Sequence, residues 1–118
     1  VLVFQTQAFS NYETAQKELL ALEQQVAALD LSQIAMIIIA DDSAFVAANL
    51  NNFVWSTFTK CNPSHDIYGI NSFVKNKHWG CEGPLVMDTR TKPHHAPVLE
   101  KDPHTEQKVS MLLNKYGY

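Results

Sequence analysis

The side chains able to do chemistry fall into three groups. Asp41 and Asp42 are adjacent carboxylates that end the apolar run Ile34–Ala40. Such a pair can bind a divalent cation or divide acid and base work. The competing role is structural: one braces or caps the connector that follows and the other stays solvated. Cys61-x3-His65 and His78-x2-Cys81 form the second group. Thiolate and imidazole at short spacings, joined by a loop-sized gap, can build a tetrahedral zinc site. Against it, Cys61 and His65 flank a helix end at Asn62-Pro63, the two pairs straddle a strand, and neither is a Cys-x2-Cys knuckle. No metal ligand is assigned on that basis. His94 and His95, close to Lys92 and Asp88, form the third group. They suit anion binding or proton transfer, with an exposed polar loop as the plain alternative. Spacing places no His beside either Cys, so a thiol nucleophile is not supported.

Other chemistries are excluded by what the chain lacks. Gln7-Ala8-Phe9-Ser10 follows the first strand, without the glycines that let a backbone approach pyrophosphate. There is no Gly-x-Ser-x-Gly nucleophile elbow. A net charge of −3 gives no electrostatic case for nucleic acid or an anionic membrane. No apolar stretch is long enough for a transmembrane helix, so no integral membrane segment is expected. Two cysteines allow at most one internal disulfide, and a reduced, cytoplasmic setting is the expectation.

These groups need elements to hold them. The 118 residues suit one domain. Val1–Thr6 is β-prone. Ser10 and Glu13 have the spacing of a capping box. Tyr12, Ala15, Leu19, Leu22, Val26 and Leu29 then make one helical stripe. After a polar turn at Asp30–Gln33, the isoleucine-rich run of Ile34–Ala40 suits the doubly covered centre of a sheet. Ser43–Ala48 is expected to be a connector, and Asn49 the cap of a second helix. Leu50, Phe53, Val54, Thr57 and Phe58 would turn one face to the sheet. A third strand is centred on Ile67–Ile70, Asn71–Gly83 is irregular, and Leu85–Met87 is a late strand ending at Asp88. Thr89–Glu100 is irregular again. Asp102-Pro103 opens a last helix with Val109, Leu112, Leu113 and Tyr116 as its stripe. The order predicts an α/β fold: a βαβαβ core with a mostly parallel sheet, an added late strand and a C-terminal helix. The start at Val1, already strand-like and without Met, leads to the expectation of a longer parent chain.

Several motifs in order resemble one family. The strand Ile37-Ile38-Ile39-Ala40 ends in Asp41-Asp42. The helix Phe53-Val54-Trp55-Ser56-Thr57-Phe58-Thr59-Lys60 carries a Val-Trp pair and a Thr near its end. Asn62-Pro63-Ser64-His65-Asp66 follows, then Met87-Asp88-Thr89-Arg90-Thr91-Lys92, then Lys101-Asp102-Pro103. Over roughly residues 34–118, and more loosely before them, this order resembles the C-terminal domain of the UbiD-like decarboxylases. These are carboxy-lyases of the 3-octaprenyl-4-hydroxybenzoate type that use prenylated flavin mononucleotide. Departures are visible: Ser43-Ala44 stand where further acids are common, Lys60 replaces an arginine, and Asn49 and Asn52 replace aspartates.

The resemblance implies decarboxylation of an aromatic or α,β-unsaturated carboxylic acid in the whole enzyme. It implies that the catalytic Glu-Arg-Glu set and the ligands of prenylated FMN and its metal ions lie in a preceding domain. No catalytic, cofactor-binding or metal-binding residue is carried over to this chain. Its implied partners are that upstream flavin-binding domain and further copies of itself, as a homo-oligomer. Its implied role is to shape the substrate cleft, and alone it is expected to be inactive. The alternative from the residues is a free-standing α/β binding or assembly module, with a zinc-stabilised version through Cys61, His65, His78 and Cys81.

Overall fold

The computed structural model describes residues 1–97 and 102–117. The end of the Thr89–Glu100 stretch, Lys101 of the Lys-Asp-Pro motif, and Tyr118 lie outside the described residues. Strand β1 is Leu2–Gln5, helix α1 is Tyr12–Val26 and strand β2 is Met36–Ala40. Helices α2 (Ser43–Ala48) and α3 (Leu50–Lys60) follow. Strands β3 (Ile67–Gly69), β4 (Ser72–Lys75), β5 (His78–Cys81) and β6 (Leu85–Asp88) lead to helix α4 (Pro103–Tyr116).

The α/β class and the mostly parallel sheet are as expected. The main sheet has the order β1-β2-β6-β3, with β1, β2 and β6 parallel and β3 antiparallel to β6. The late strand is therefore no peripheral addition. It lies inside the sheet and completes the parallel trio, while β3 forms the edge. The register sets Ile38 of β2 between Val3 of β1 and Met87 of β6. Side chains alternate across the pleat. Ile37, Ile39 and Val86 meet Leu22 and Val26 of α1 on one face. Ile38 and Ala40 meet Val46 of α2 and Phe53 of α3 on the other. Helices cover both faces, which is why β2 reads as an unbroken apolar run.

Local details correct the reading. Asn11, not Ser10, caps α1, accepting from the Thr14 N–H at 2.9 Å. Leu29 lies beyond the helix and is exposed. The Ser43–Ala48 connector is a helix, because Asp42 caps it. On α3, Ser56 and Thr57 are buried while Leu50, Val54 and Phe58 face outward. Asn49 does cap α3, and the Asn52 side chain donates to the Phe45 carbonyl at 2.8 Å. That bond ties α3 to α2, and the rotation it accompanies turns the small Ser56 inward. The irregular 71–83 stretch is a β-hairpin, β4 against β5. Its tip residues Asn76 and Lys77 both have positive φ, 53° and 66°. That is the backbone of a tight two-residue turn, which lysine signals poorly.

Helix α4 begins as expected, with Asp102 as cap and Pro103 at its start. It ends at Gly117, whose φ of 81° closes the helix in the left-handed region. None of its residues is buried. No described helix is long and apolar enough to cross a membrane.

Candidate functional site

The carboxyl ends of β1, β2 and β6 converge with the start of β3 on a charged layer. Parallel strands deliver their following residues to one edge, which is where open α/β sheets hold ligands. From β6 come Asp88, Thr89, Arg90 and Lys92, all buried. Asp66, buried just ahead of β3, joins them because β3 pairs antiparallel to β6. Its carbonyl accepts from the Asp88 N–H at 2.9 Å.

Arg90 is the hub. Its Nε donates to Asp88 Oδ1 at 3.0 Å and its Nη2 to Asp88 Oδ2 at 2.7 Å, a forked pair. Its Nη1 reaches Glu18 of α1 at 2.7 Å and the Gln7 carbonyl at 3.0 Å. One guanidinium thus joins the ends of β1 and β6 to α1. Burial alone would lower the Arg90 pKa, but its bonds to Asp88 and Glu18 outweigh that and raise it. Burial pushes Asp88 upward, and the hydrogen bonds from Arg90, with Lys92 nearby, overcome it and hold its pKa below the ordinary 3.8.

Lys92 occupies the other side. Its Nζ donates to the Asp88 carbonyl at 2.6 Å and faces Asp66 Oδ2 at 3.3 Å and Asp88 Oδ1 at 3.5 Å. Asp66 Oδ2 also accepts from the Asn62 N–H at 2.7 Å, while its Oδ1 is buried without a hydrogen-bond partner among the described residues. The ring of Phe9 lies under both cations, 5.6 Å from Arg90 Cζ and 5.5 Å from Lys92 Nζ. Burial, with Asp66 next in effect, raises the Cys61 thiol to about 11 and the Tyr68 phenol to about 12. Both shifts favour the protonated, less reactive form of the group near neutral pH.

Asp41 and Asp42 have separate roles. Asp42 Oδ1 accepts from the Phe45 N–H at 2.8 Å, the capping role. Asp41 is part-exposed but paired: its Oδ2 accepts from the Thr91 N–H and hydroxyl, each at 2.8 Å, and from Lys60 Nζ at 3.1 Å. Burial raises its pKa, but those bonds prevail and lower it. Lys60 Nζ also donates to Thr91 Oγ1 at 3.0 Å.

The remaining expected groups stay apart. Among the described residues no three His, Cys, Asp or Glu side chains come together in a way that could hold a metal. Cys61 and Cys81 are both free thiols. His65 lies against Tyr12, with ring centroids 5.5 Å apart, and its Nδ1 is 2.6 Å from Ser64 Oγ. His78 pairs with Lys75 in the hairpin. The tetrahedral set through Cys61, His65, His78 and Cys81 does not assemble. The buried donors of the edge, Arg90 and Lys92, do not fit a flavin phosphate either, nor do Asp66 and Asp88 fit its divalent ion, because these charges are paired with one another. Lys60 stands outside that buried set, part-exposed beside Asp41.

Only His95 of the third group joins the edge. Its Nδ1 accepts from the Lys92 N–H at 3.1 Å, which places the proton of the neutral ring on Nε2. Burial, then the neighbouring His94, Lys92 and Lys60 side chains, lower its pKa, with Asp66 opposing. His94 is exposed. Residue-by-residue reading missed Arg90, Asp66 and Glu18. A signal was present: Asp88, Arg90 and Lys92 repeat every second residue at the end of an apolar strand, a spacing that keeps one side of an extended chain.

No family model matches the chain. Over 87 residues, 74% of its length, it is 33% identical to a 4-hydroxybenzoate decarboxylase subunit of Chlamydia pneumoniae. It is 30% identical over 87 residues to an uncharacterized protein of Chlamydia caviae and 28% identical over 86 residues to one of Chlamydia muridarum. The chain spans about 15% of the length of these relatives. The first of these identities supports a UbiD-related origin, in line with the motif order: the chain is related in sequence to part of a decarboxylase subunit.

Proposed function

We infer that the chain serves as the C-terminal, non-catalytic domain of a UbiD-like decarboxylase acting on an aromatic or α,β-unsaturated carboxylic acid. The observation that carries the reading is the match to 74% of this chain but 15% of a 4-hydroxybenzoate decarboxylase subunit. The edge chemistry agrees with it: the buried acids and bases are spent on one another, an arrangement that positions loops rather than turns over substrate. Prenylated FMN, its metal ions and the catalytic acids then belong to an upstream domain. This domain shapes the cleft that opens towards them, and α4, exposed along its whole apolar stripe, supports association between protomers.

The test is reconstitution. The upstream flavin domain of a related protein, carrying its cofactor, is assayed for decarboxylation with and without this chain. The chain alone is expected to be inert, and the pair to exceed the flavin domain alone. Flavin-dependent turnover by the isolated chain, or no effect of adding it, overturns the reading. The same α4 stripe also favours a second reading, a free-standing assembly module. That reading gains if the chain associates stably but ignores the flavin domain.

A further inference from the structure

A cavity of about 450 Å³ opens between α3 and the loop after β6. That volume suits a one-ring ligand. Its wall is mostly apolar, built by the half-exposed Trp55 indole with Ala96 and Pro97. Its polar groups are Lys60, Thr91 and His95, with Thr59 occupied in donating to the Trp55 carbonyl at 2.6 Å. Among the described residues no carboxylate lines it.

The cation in this wall is already oriented. Lys60 Nζ gives one hydrogen bond to Asp41 and one to Thr91, and lies 5.7 Å from the Trp55 ring centroid. An ammonium has three donors, so one N–H remains. His95 spends Nδ1 on the Lys92 N–H, which leaves Nε2–H as a second donor. Both groups line the same cavity. An anion between them would meet two donors, and an apolar body attached to it would lie on the indole face.

We propose that this cavity is a binding site for a small organic anion with a flat apolar body, held by Lys60 and His95 and stacked on Trp55. The proposal rests on this chain's own residues and stands whether or not an upstream flavin domain exists.

The probes are benzoate, its neutral isostere benzamide, and inorganic phosphate. Each is titrated into the ¹⁵N-labelled chain and followed at the Trp55 indole N–H and the His95 imidazole. Benzoate is expected to shift both signals saturably at concentrations up to about 10 mM. Benzamide and phosphate are each expected to bind at least ten times more weakly, one lacking charge and the other the apolar body. Lys60→Met is expected to weaken benzoate at least tenfold, and Lys60→Arg to restore most of the loss. Trp55→Ala, with an unchanged backbone amide spectrum as the check on its fold, is expected to weaken benzoate and leave the weak binding of phosphate unchanged. Equal binding of benzoate and benzamide, equal binding of benzoate and phosphate, shifts confined to other residues, or no saturation each overturn the proposal.

Discussion

Asp88 shows how a single residue sets the behaviour of the edge. Its carboxylate holds the Arg90 fork and faces Lys92, and both cations are buried. Breaking one partner of such a pair strands the other charge in a low-dielectric interior. Asp88→Asn is therefore expected to cost about 3–5 kcal/mol, read as a lower midpoint in urea unfolding. Asp42 acts more locally. Asp42→Ala removes the oxygen that accepts from the Phe45 N–H, and a loss of about 1 kcal/mol is expected from the same measurement. Changing Asp41 and Asp42 together to Asn should disturb stability more than chemistry. A reconstituted enzyme carrying both changes that kept its stability and lost turnover would reverse that assignment.

Among the elements, the β4–β5 hairpin is held by close backbone approach rather than by a large core. Gly69 in β3 lies so near Cys81 that an added Cβ would run into the Cys81 Cβ, with Sγ 2.8 Å away. Gly69→Ala must push the hairpin off the sheet edge, and overpacking of this kind costs about 1–3 kcal/mol. Hydrogen exchange in β4 and β5 is expected to speed up more than exchange in β2. With Gly80 and Gly83 in it, the stretch reads as irregular from its residues. The hairpin escapes that reading because its turn is Asn76-Lys77, and lysine seldom adopts positive φ. The rotation of α3 is equally hidden. Helical periodicity marks an apolar face, but only packing against α2 decides which face turns inward.

For the whole molecule, shape and pH are the tests. The radius of gyration is 18.3 Å, against about 13.5 Å for a compact chain of this length. The long axis of 60 Å fits a helix that buries none of its residues. Removing residues 102–118 is expected to leave the urea midpoint of the core within about 0.5 kcal/mol and to shrink the scattering radius markedly. The pH response follows from the groups that burial and pairing shift. Asp41 and Asp88 have folded pKa values lowered from 3.8. They contribute stability that is full above about 3.8 and lost as pH falls through the lowered values. His95 is lowered from 6.5, so the unfolded chain takes up its proton first. Its contribution is full above 6.5 and declines as pH falls towards the depressed value. A two-stage acid loss is expected, and His95→Gln should remove the upper stage while leaving the lower one.

Local patterning in the chain was enough for some of these features. The Ile34–Ala40 run identified the buried central strand, Asn49 and Asp102 the helix starts, and the order of motifs the relationship to a decarboxylase subunit. Each depends on neighbours within a few residues or on order along the chain. Which strand lies beside β2 came only from the folded molecule, because strand pairing joins residues such as Ile38 and Met87 that are far apart in sequence. So did the pairing of Asp41 with Lys60 and Thr91, and the gathering of Asp66, Asp88, Arg90 and Lys92 into one buried layer. Long-range pairing brings the ends of three strands to one edge, and burial then makes each charge depend on its partner.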